Sequence, residues 1–358
     1  MIGILLIVLV AGMLFLLFWP SFGGRISRKD QIDYRKRAAN YRHGRFRNEA
    51  DIKLMKRVKR KEKNQFVSRE PIVPKEMLPV GTPKLEGVPK KEKLTVTWFG
   101  HSTFLVQMEG KNILIDPVFS NCTSPVSFLG PKRFSTLPMK AKDLPHIDLV
   151  LITHDHYDHL DETTIREIEE KVTAYYVPLG VEKDLRRWGV KEEKVTNFAW
   201  WEEKSEFGLT ITCTPAQHFS GRRGIDQNKT LWCSWVIKSD SHQIFASGDG
   251  GYGTQFKEIK KRLGSFELAL IEAGQYDVAW AEIHMKPEQS YQAGIDLEAD
   301  VIIPIHWAAF RLANHPWNDS PVRVVSAAGD RQEKVFTPRI GETITIGQFE
   351  QGEDRWWR

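Results

Sequence analysis

The stretch Thr153-His154-Asp155-His156-Tyr157-Asp158-His159-Leu160-Asp161 packs three histidines and three acids into nine residues. It follows directly on the apolar run Asp148-Leu149-Val150-Leu151-Ile152, so it reads as a strand emptying into a loop of metal-ligating side chains. Imidazole nitrogens and carboxylate oxygens are the ligands that zinc takes in catalytic sites. The spacing H-x-H-x-D-H suits two metal ions side by side. Such a pair, sharing a water, generates a nucleophile at neutral pH.

Three later segments end in the same way. Leu209 to Gln217 runs into His218, Ile244 to Gly248 runs into Asp249, and Val301 to Ile305 runs into His306. Each of these histidines alone reads equally as a hydrogen-bonded core residue. Together with the loop they make the ligand set that two zinc ions need when one carboxylate bridges them.

The elements that must hold these side chains read as strands at Leu94–Phe99, Thr103–Met108, Asn112–Ile115, Ala174–Pro178, Leu209–Thr214, Leu231–Ile237 and Gln243–Ala246. Two further apolar runs lie at Leu268–Ile271 and Val301–Ile305. Helical patterns follow the metal loop at Glu162–Lys171 and recur at Gln255–Leu263 and Pro287–Leu297. Early hairpins and later alternating units predict an α/β protein whose sheets are covered by helices.

Composition divides the chain further. It has 358 residues and a formal net charge of +5, yet residues 25–63 alone carry 16 Lys/Arg against 5 Asp/Glu. The three cysteines, Cys122, Cys213 and Cys233, form no C-x-x-C pair, which argues for a reducing compartment. Ile2 to Trp19 is an uncharged run of 18 residues. It predicts an uncleaved transmembrane anchor, the rival being a signal peptide, which lacks its basic leader here. Arg25, Arg28, Lys29, Arg35, Lys36 and Arg37 follow the run, so the positive-inside rule puts a single-pass chain with its main domain on the cytoplasmic side.

Residues 51–63 suggest a basic amphipathic helix against anionic lipid, with a solvated helix or a nucleic-acid patch as alternatives. Lipid is favoured and no nucleic-acid partner is expected. Pro71, Pro74, Pro79, Pro83 and Pro89 mark a linker, or a strap over the domain. The boundaries that follow are 1–24 for the anchor, 25–92 for the basic juxtamembrane segment and Pro-rich linker, 93–345 for a hydrolase domain and 346–358 for a tail.

H-x-H-x-D-H, a distant histidine, a strand-end aspartate and a final histidine resemble the ligand order of the metallo-β-lactamase superfamily. Asp116-Pro117-Val118-Phe119, Gly130-Pro131-Lys132-Arg133-Phe134, Pro215-Ala216-Gln217-His218, Gly248-Asp249-Gly250-Gly251-Tyr252 and Ile305-His306-Trp307 look like the N-acyl-phosphatidylethanolamine-hydrolysing phospholipase D branch. The resemblance covers roughly residues 93–320 and implies an αβ/βα four-layer sandwich. It implies His154, His156 and His218 on a first zinc, Asp158, His159 and His306 on a second, and Asp249 bridging.

By the same resemblance Asp116 orients ligands, turn-capping being its alternative reading, and His284 approaches the substrate, the alternative being a helix-entry histidine. Tyr276 lines the pocket, and Asp158, Asp249 and His284 serve catalysis. His101 matches a family position and reads equally as a structural hydrogen-bonding residue. The implied reaction is phosphodiester hydrolysis in a membrane phospholipid, giving phosphatidate and a headgroup alcohol. A lactonase or cyclic phosphodiesterase on a soluble substrate is the alternative. Ser127-Phe128 and Ile283 depart from residues that contact the lipid amide in the relative. Oligomeric state is left open.

Overall fold

The computed structural model of the chain describes residues 2–57, 71–85, 93–348 and 355–358. It begins with α1 (Ile2–Phe18), α2 (Arg28–Arg37) and a short hairpin of β1 (Tyr41–Arg42) and β2 (Arg45–Phe46).

Strands β3 (Thr95–Trp98), β4 (Phe104–Met108), β5 (Lys111–Ile115), β6 (Ile147–Leu151), β7 (Val172–Pro178) and β8 (Val195–Phe198) build one sheet. Strands β9 (Glu203–Glu206), β10 (Leu209–Thr214), β11 (Ser234–Lys238), β12 (Gln243–Ala246), β13 (Phe266–Glu272) and β14 (Ala299–Ile305) build the other, before β15 (Thr343–Thr345) returns to the first. The orders are β15-β3-β4-β5-β6-β7-β8 and β14-β13-β12-β11-β10-β9. Each sheet is antiparallel at one end and parallel at the other, with β5 to β8 parallel in the first and β12 to β14 parallel in the second.

The side-chain alternation of strands decides the layers. Ile113, Leu149 and Leu151 face inward to meet Cys213, Trp235, Ile244, Leu268 and Ile303 between the sheets. The intervening Leu114 and Val150 face outward and pack with Ile165 of α3 (Glu162–Ile168) and Leu185 of α4 (Glu182–Arg187). On the far side, Phe245, Ala269 and Ile302 pack with Ile259 of α5 (Gln255–Leu263) and Ala293 of α6 (Pro287–Asp296). The result is the expected αβ/βα sandwich. A last helix, α7 (Asp319–Ala328), sends Val324, Val325 and Ala328 into the inter-sheet core.

Several expectations shift. The strand expected from Leu231 starts at Ser234, because Leu231 N bonds to Leu179 O at 2.7 Å and Cys233 N to Thr153 O at 2.9 Å, tying the two sheets together instead. No helix forms over the described part of 51–63; Lys53 N and Lys56 N bond to Glu282 Oε2 and Ala279 O at 2.6 Å each, and residues 58–63 lie outside the described residues. The proline-marked segment is a strap where described: Leu78 is buried and Gly81 N bonds to Ile340 O at 2.7 Å.

Residues 28–46, read from sequence as part of a segment outside the domain, belong to the folded body, with Tyr34, Tyr41 and Phe46 packed on Leu179, Leu231 and Trp232. The expected tail is likewise anchored, Trp357 being 1% exposed.

The apolar N-terminal run requires a correction. Among the described residues no helix is long and apolar enough to cross a membrane. α1 stops at Phe18 after 17 residues because the chain turns into a short 3-10 helix at Pro20–Phe22. There proline has no amide hydrogen to continue the helix. Single-pass topology therefore has no support from the length of this helix.

Candidate metal centre

The ligand-bearing loops open from the C-terminal ends of their strands, where parallel α/β sheets place their sites. After β6, His159 N and Leu160 N both bond to His156 O, at 3.1 and 2.8 Å, closing a turn that gathers the loop's histidines on one side. β10, β12 and β14 deliver His218, Asp249 and His306 to the same edge.

The side chains form two groups. Ligand atoms of His154, His156 and His218 lie within 4.8 Å of one another, and so do those of His101, Asp158, His159 and His306. Asp249 stands between them. Its Oδ2 lies 3.9 Å from both His154 Nε2 and His218 Nε2, and its Oδ1 lies 3.1 Å from His159 Nε2 and 2.6 Å from His306 Nδ1.

The donor set fits a pair of divalent cations. Ligands about 2.0–2.1 Å from one tetrahedral ion lie about 3.3 Å apart. Here His156 Nδ1 is 2.9 Å from His154 Nε2 and 3.2 Å from His218 Nε2, and Asp158 Oδ2 is 3.6 and 3.7 Å from the Nε2 atoms of His159 and His306. His159 Nε2, His306 Nε2 and Asp249 Oδ1 are buried with no hydrogen-bond partner among the described residues. Leaving such atoms unsatisfied is costly, and a cation would satisfy all three.

The opposite ring nitrogens are engaged: His159 Nδ1 donates to Asp116 Oδ2 at 2.7 Å and His218 Nδ1 to Ile283 O at 3.0 Å. Both rings thus present Nε2 to the centre, the arrangement that outer partners impose on metal ligands. Asp116 is itself fixed, accepting Thr153 N at 2.8 Å and Thr153 Oγ1 at 2.7 Å.

Electrostatics agree with the donor set. Burial, reinforced by neighbouring imidazoles, holds His154 well below the usual histidine range, and burial also depresses His156 and His218. Burial would raise Asp158 and Asp249, but the adjacent imidazoles, His159 foremost, pull both below the usual carboxylate range. Burial opposes charge on His159 and loses to Asp249, Asp158 and Asp116, so this ring sits well above its ordinary value. Neutral imidazoles on one side and ionised carboxylates between are the states that metal binding requires.

The remaining candidates separate. His284 meets the edge of the site, with a ligand atom within 4.8 Å of those of His218 and Asp249. Its Nδ1 is hydrogen-bonded to Glu272 Oε1, whose other oxygen accepts Met285 N at 3.1 Å. Burial lowers His284 to about 4 and raises Glu272 well above its usual range. Glu272 escaped the sequence reading although it carried the same signal as the ligands, an acid at the end of an apolar strand. His101 joins the second group, its Nε2 being 2.9 Å from Asp158 Oδ2.

Tyr276, expected at the pocket, is placed elsewhere. It is 2% exposed, stacks on His315 with centroids 4.2 Å apart, and bonds through its hydroxyl to Asp319 and Arg323. Asp161 caps α3 by accepting Thr163 N at 3.3 Å. Arg133, in the Gly130–Phe134 motif, donates to Val118 O at 2.7 Å and lies 4.4 Å from the Phe310 ring centroid, so the motif braces the loops around Asp116 and His306.

Backbone strain concentrates here, with His101 and His306 at φ 54° and 69°. Gly248 (φ +57°) also lies against Thr153, where a Cβ would come within 2.7 Å of the threonine side chain.

An αβ/βα sandwich with this ligand edge defines a metal-dependent hydrolase. The chain matches the Beta-lactamase superfamily domain over residues 111–307 and belongs to that family. An uncharacterised protein of Mycobacterium tuberculosis is 39% identical over 256 residues, 70% of this chain and 68% of its own. The N-acyl-phosphatidylethanolamine-hydrolyzing phospholipase D 1 of Caenorhabditis elegans is 34% identical over 296 residues, 78% of this chain and 81% of its own. Among solved structures, Igni18, a metallo hydrolase from Ignicoccus hospitalis, superposes with TM-score 0.55 at 26% identity, covering 72% of this chain and all of that one.

Proposed function

We propose that this hydrolase holds two zinc ions and cleaves a phosphodiester in a membrane phospholipid, releasing a headgroup alcohol from phosphatidate, with N-acyl phosphatidylethanolamine or phosphatidylethanolamine as substrate. The observation that carries the two-ion reading is Asp249, whose two oxygens face two separate ligand groups. Histidine-rich ligation favours zinc. When bound, the ions supply Lewis acidity that lowers the pKa of water and offsets charge on phosphoryl oxygens.

The chain's own residues do the rest. Asp116 keeps His159 in the ligand tautomer. Glu272 fixes Nδ1 of His284, leaving Nε2 as the atom that holds or passes a proton as the P–O bond to the headgroup breaks and water oxygen joins phosphorus.

The lipid reading draws on the exposed apolar surface beside the site and on the relative's name. Ile4, Leu6, Ile7, Met13 and Phe18 of α1 are exposed, and Trp19 Nε1 bonds to Pro125 O at 2.5 Å, joining α1 to the loop that exposes Phe128 (78%) and Leu129 (68%). α1 is not long and apolar enough to cross a membrane, so the arrangement this reading favours is contact of the apolar surface with the bilayer, the basic flank facing its anionic headgroups.

The test is turnover by the zinc-loaded full chain of N-acyl phosphatidylethanolamine and phosphatidylethanolamine in mixed micelles, beside a lactone and a cyclic phosphodiester. Phosphatidate is the expected product, and Asp249→Ala should abolish its release. Turnover of the lactone or cyclic diester alone would replace the lipid reading with the soluble-substrate one.

A further inference from the structure

The family match starts at residue 111, yet residues from the N-terminal arm reach the metal centre at two points. The first is direct. Asn48 forms a reciprocal pair with the backbone of His218: Asn48 Nδ2 donates to His218 O at 2.8 Å, and His218 N donates to Asn48 Oδ1 at 2.9 Å. An asparagine side chain that satisfies both backbone groups of one residue fixes that residue's position as a strand neighbour would.

The second point runs through Arg222, which is 5% exposed. Its Nη1 donates to Asp155 O at 2.5 Å and to Leu160 O at 2.9 Å, so a single guanidinium group staples the two ends of the loop carrying His156, Asp158 and His159. The guanidinium also lies 4.0 Å from the Tyr157 ring centroid, and Tyr157 returns a hydrogen bond to Arg222 O at 2.9 Å. The rigid planar fork of arginine suits it to this double grip, which lysine cannot reproduce.

The Nε of Arg222 donates to Ser21 O at 2.7 Å. That carbonyl is held in place in turn. Trp188 Nε1 donates to Pro20 O at 2.8 Å, Ser21 Oγ to Glu162 Oε2 at 2.7 Å, Arg223 Nη2 to Gly23 O at 2.7 Å, and Gly24 N to Asp184 Oδ1 at 2.7 Å. Between the two points, α2 and the β1–β2 hairpin fasten the arm through Tyr34, Tyr41 and Phe46, and Arg37 donates to Glu202 Oε2 at 2.6 Å and to Asn197 O at 2.8 Å.

We propose that the N-terminal arm, residues 18–48, is a positioning element of the metal centre, bracing the 154–160 ligand loop through Arg222 and the His218 ligand through Asn48. The inference rests on the metal reading above. Asn48 acts on the backbone of a ligand, and Arg222 on the backbone at the two ends of the loop that carries three. Outer partners of this kind set metal affinity by roughly 10–100-fold.

Asn48→Leu and Arg222→Lys in the full chain test it, with Ile259→Ala as a control that opens a cavity in the outer layer of the second sheet, in a buried cluster that contains no arm residue. Zinc affinity is read by chelator competition. Amide hydrogen exchange of segments 154–160 and 216–220 is read in the metal-free chain. Both variants should weaken zinc binding about tenfold or more and lose protection, Asn48→Leu in 216–220 and Arg222→Lys in 154–160. The control should lower the melting temperature while leaving affinity and local protection unchanged.

Wild-type affinity and protection in Asn48→Leu and Arg222→Lys would overturn the proposal, as would an equal loss in Ile259→Ala. Should the wild-type chain bind no metal, the metal reading fails instead, while unaltered exchange in 154–160 and 216–220 would still count against the arm.

Discussion

Asp116 carries no metal in this reading, yet three hydrogen bonds end on its carboxylate, two from Thr153 and one from His159 Nδ1. Asp116→Asn keeps the size and removes the charge, and it turns one acceptor into a donor facing a donor. Zinc affinity should drop roughly 10–100-fold with the fold intact, read by chelator competition beside thermal melts with and without zinc. Unchanged affinity would reduce Asp116 to a turn cap.

Asp184 gives a prediction in pH. Burial pushes its carboxyl up to about 8 against the pull of Arg222, the Gly24 amide and Arg223, with Asp155 adding to the rise. The folded chain therefore holds this proton more tightly than the unfolded chain does. Between about pH 4 and 8 the folded state binds more protons, so Asp184's contribution to stability is full below the unfolded pKa and is lost as pH rises. Asp184→Asn has no such slope, and its melting temperature should gain on wild type steadily from pH 5 to pH 8. A constant difference would show that this carboxyl is ionised throughout.

The residue types that carry metal chemistry were legible because few other roles explain so many of them in nine positions. Asn48 was not, and His101 stayed between a site role and a structural one, because what matters in them is a contact made across the fold. Tyr276 was misplaced for the same reason: nothing local in Gly-Gln-Tyr shows that its ring faces His315.

Strand ends are the elements that set this site, and their geometry is more exacting than their pattern. The central strands were readable since inner and outer faces are both buried and their runs are apolar. β9 was not: Glu-Lys-Ser-Glu is a charged edge strand, paired only with β10, and charge on an edge is what keeps other chains away. α7, carrying Asp319 and Pro321, and the six-residue α4 lack the length or punctuation that announces a helix.

Gly248 combines a left-handed φ of +57° with close approach to Thr153, whose hydroxyl holds Asp116. Gly248→Ala should cost about 1–3 kcal/mol in backbone strain alone, and it should also weaken zinc binding because Thr153 must move. Urea unfolding and chelator competition read the two effects separately. A stability loss without an affinity loss would mean that Thr153 yields without disturbing Asp116.

The whole molecule wraps its own termini around one edge. Trp356 stacks on Trp307, next to His306, with centroids 5.3 Å apart, and Trp98 lies 5.2 Å from Trp307, so the chain's last residues back the last ligand as the arm braces the first. Segment-by-segment reading treated both ends as appendages, since basic and tryptophan-rich stretches have no periodic pattern to tie them to a core.

α1, Trp19 and the loop exposing Phe128 and Leu129 form a connected apolar surface that carries most of the large apolar residues exposed among those described. On a free soluble surface a patch of this kind is a liability, whereas against acyl chains it is a gain. Transferring one phenylalanine and one leucine from water is worth roughly 3 kcal/mol or more together. The double variant Phe128→Ser, Leu129→Ser should therefore raise the apparent KM for vesicle-borne phospholipid about 100-fold or more. Turnover of the same headgroup chemistry on a short-chain, monomerically soluble substrate should remain unchanged. Equal loss on both substrates would place these side chains in support of the site, and no loss on either would leave α1 to make the lipid contact alone.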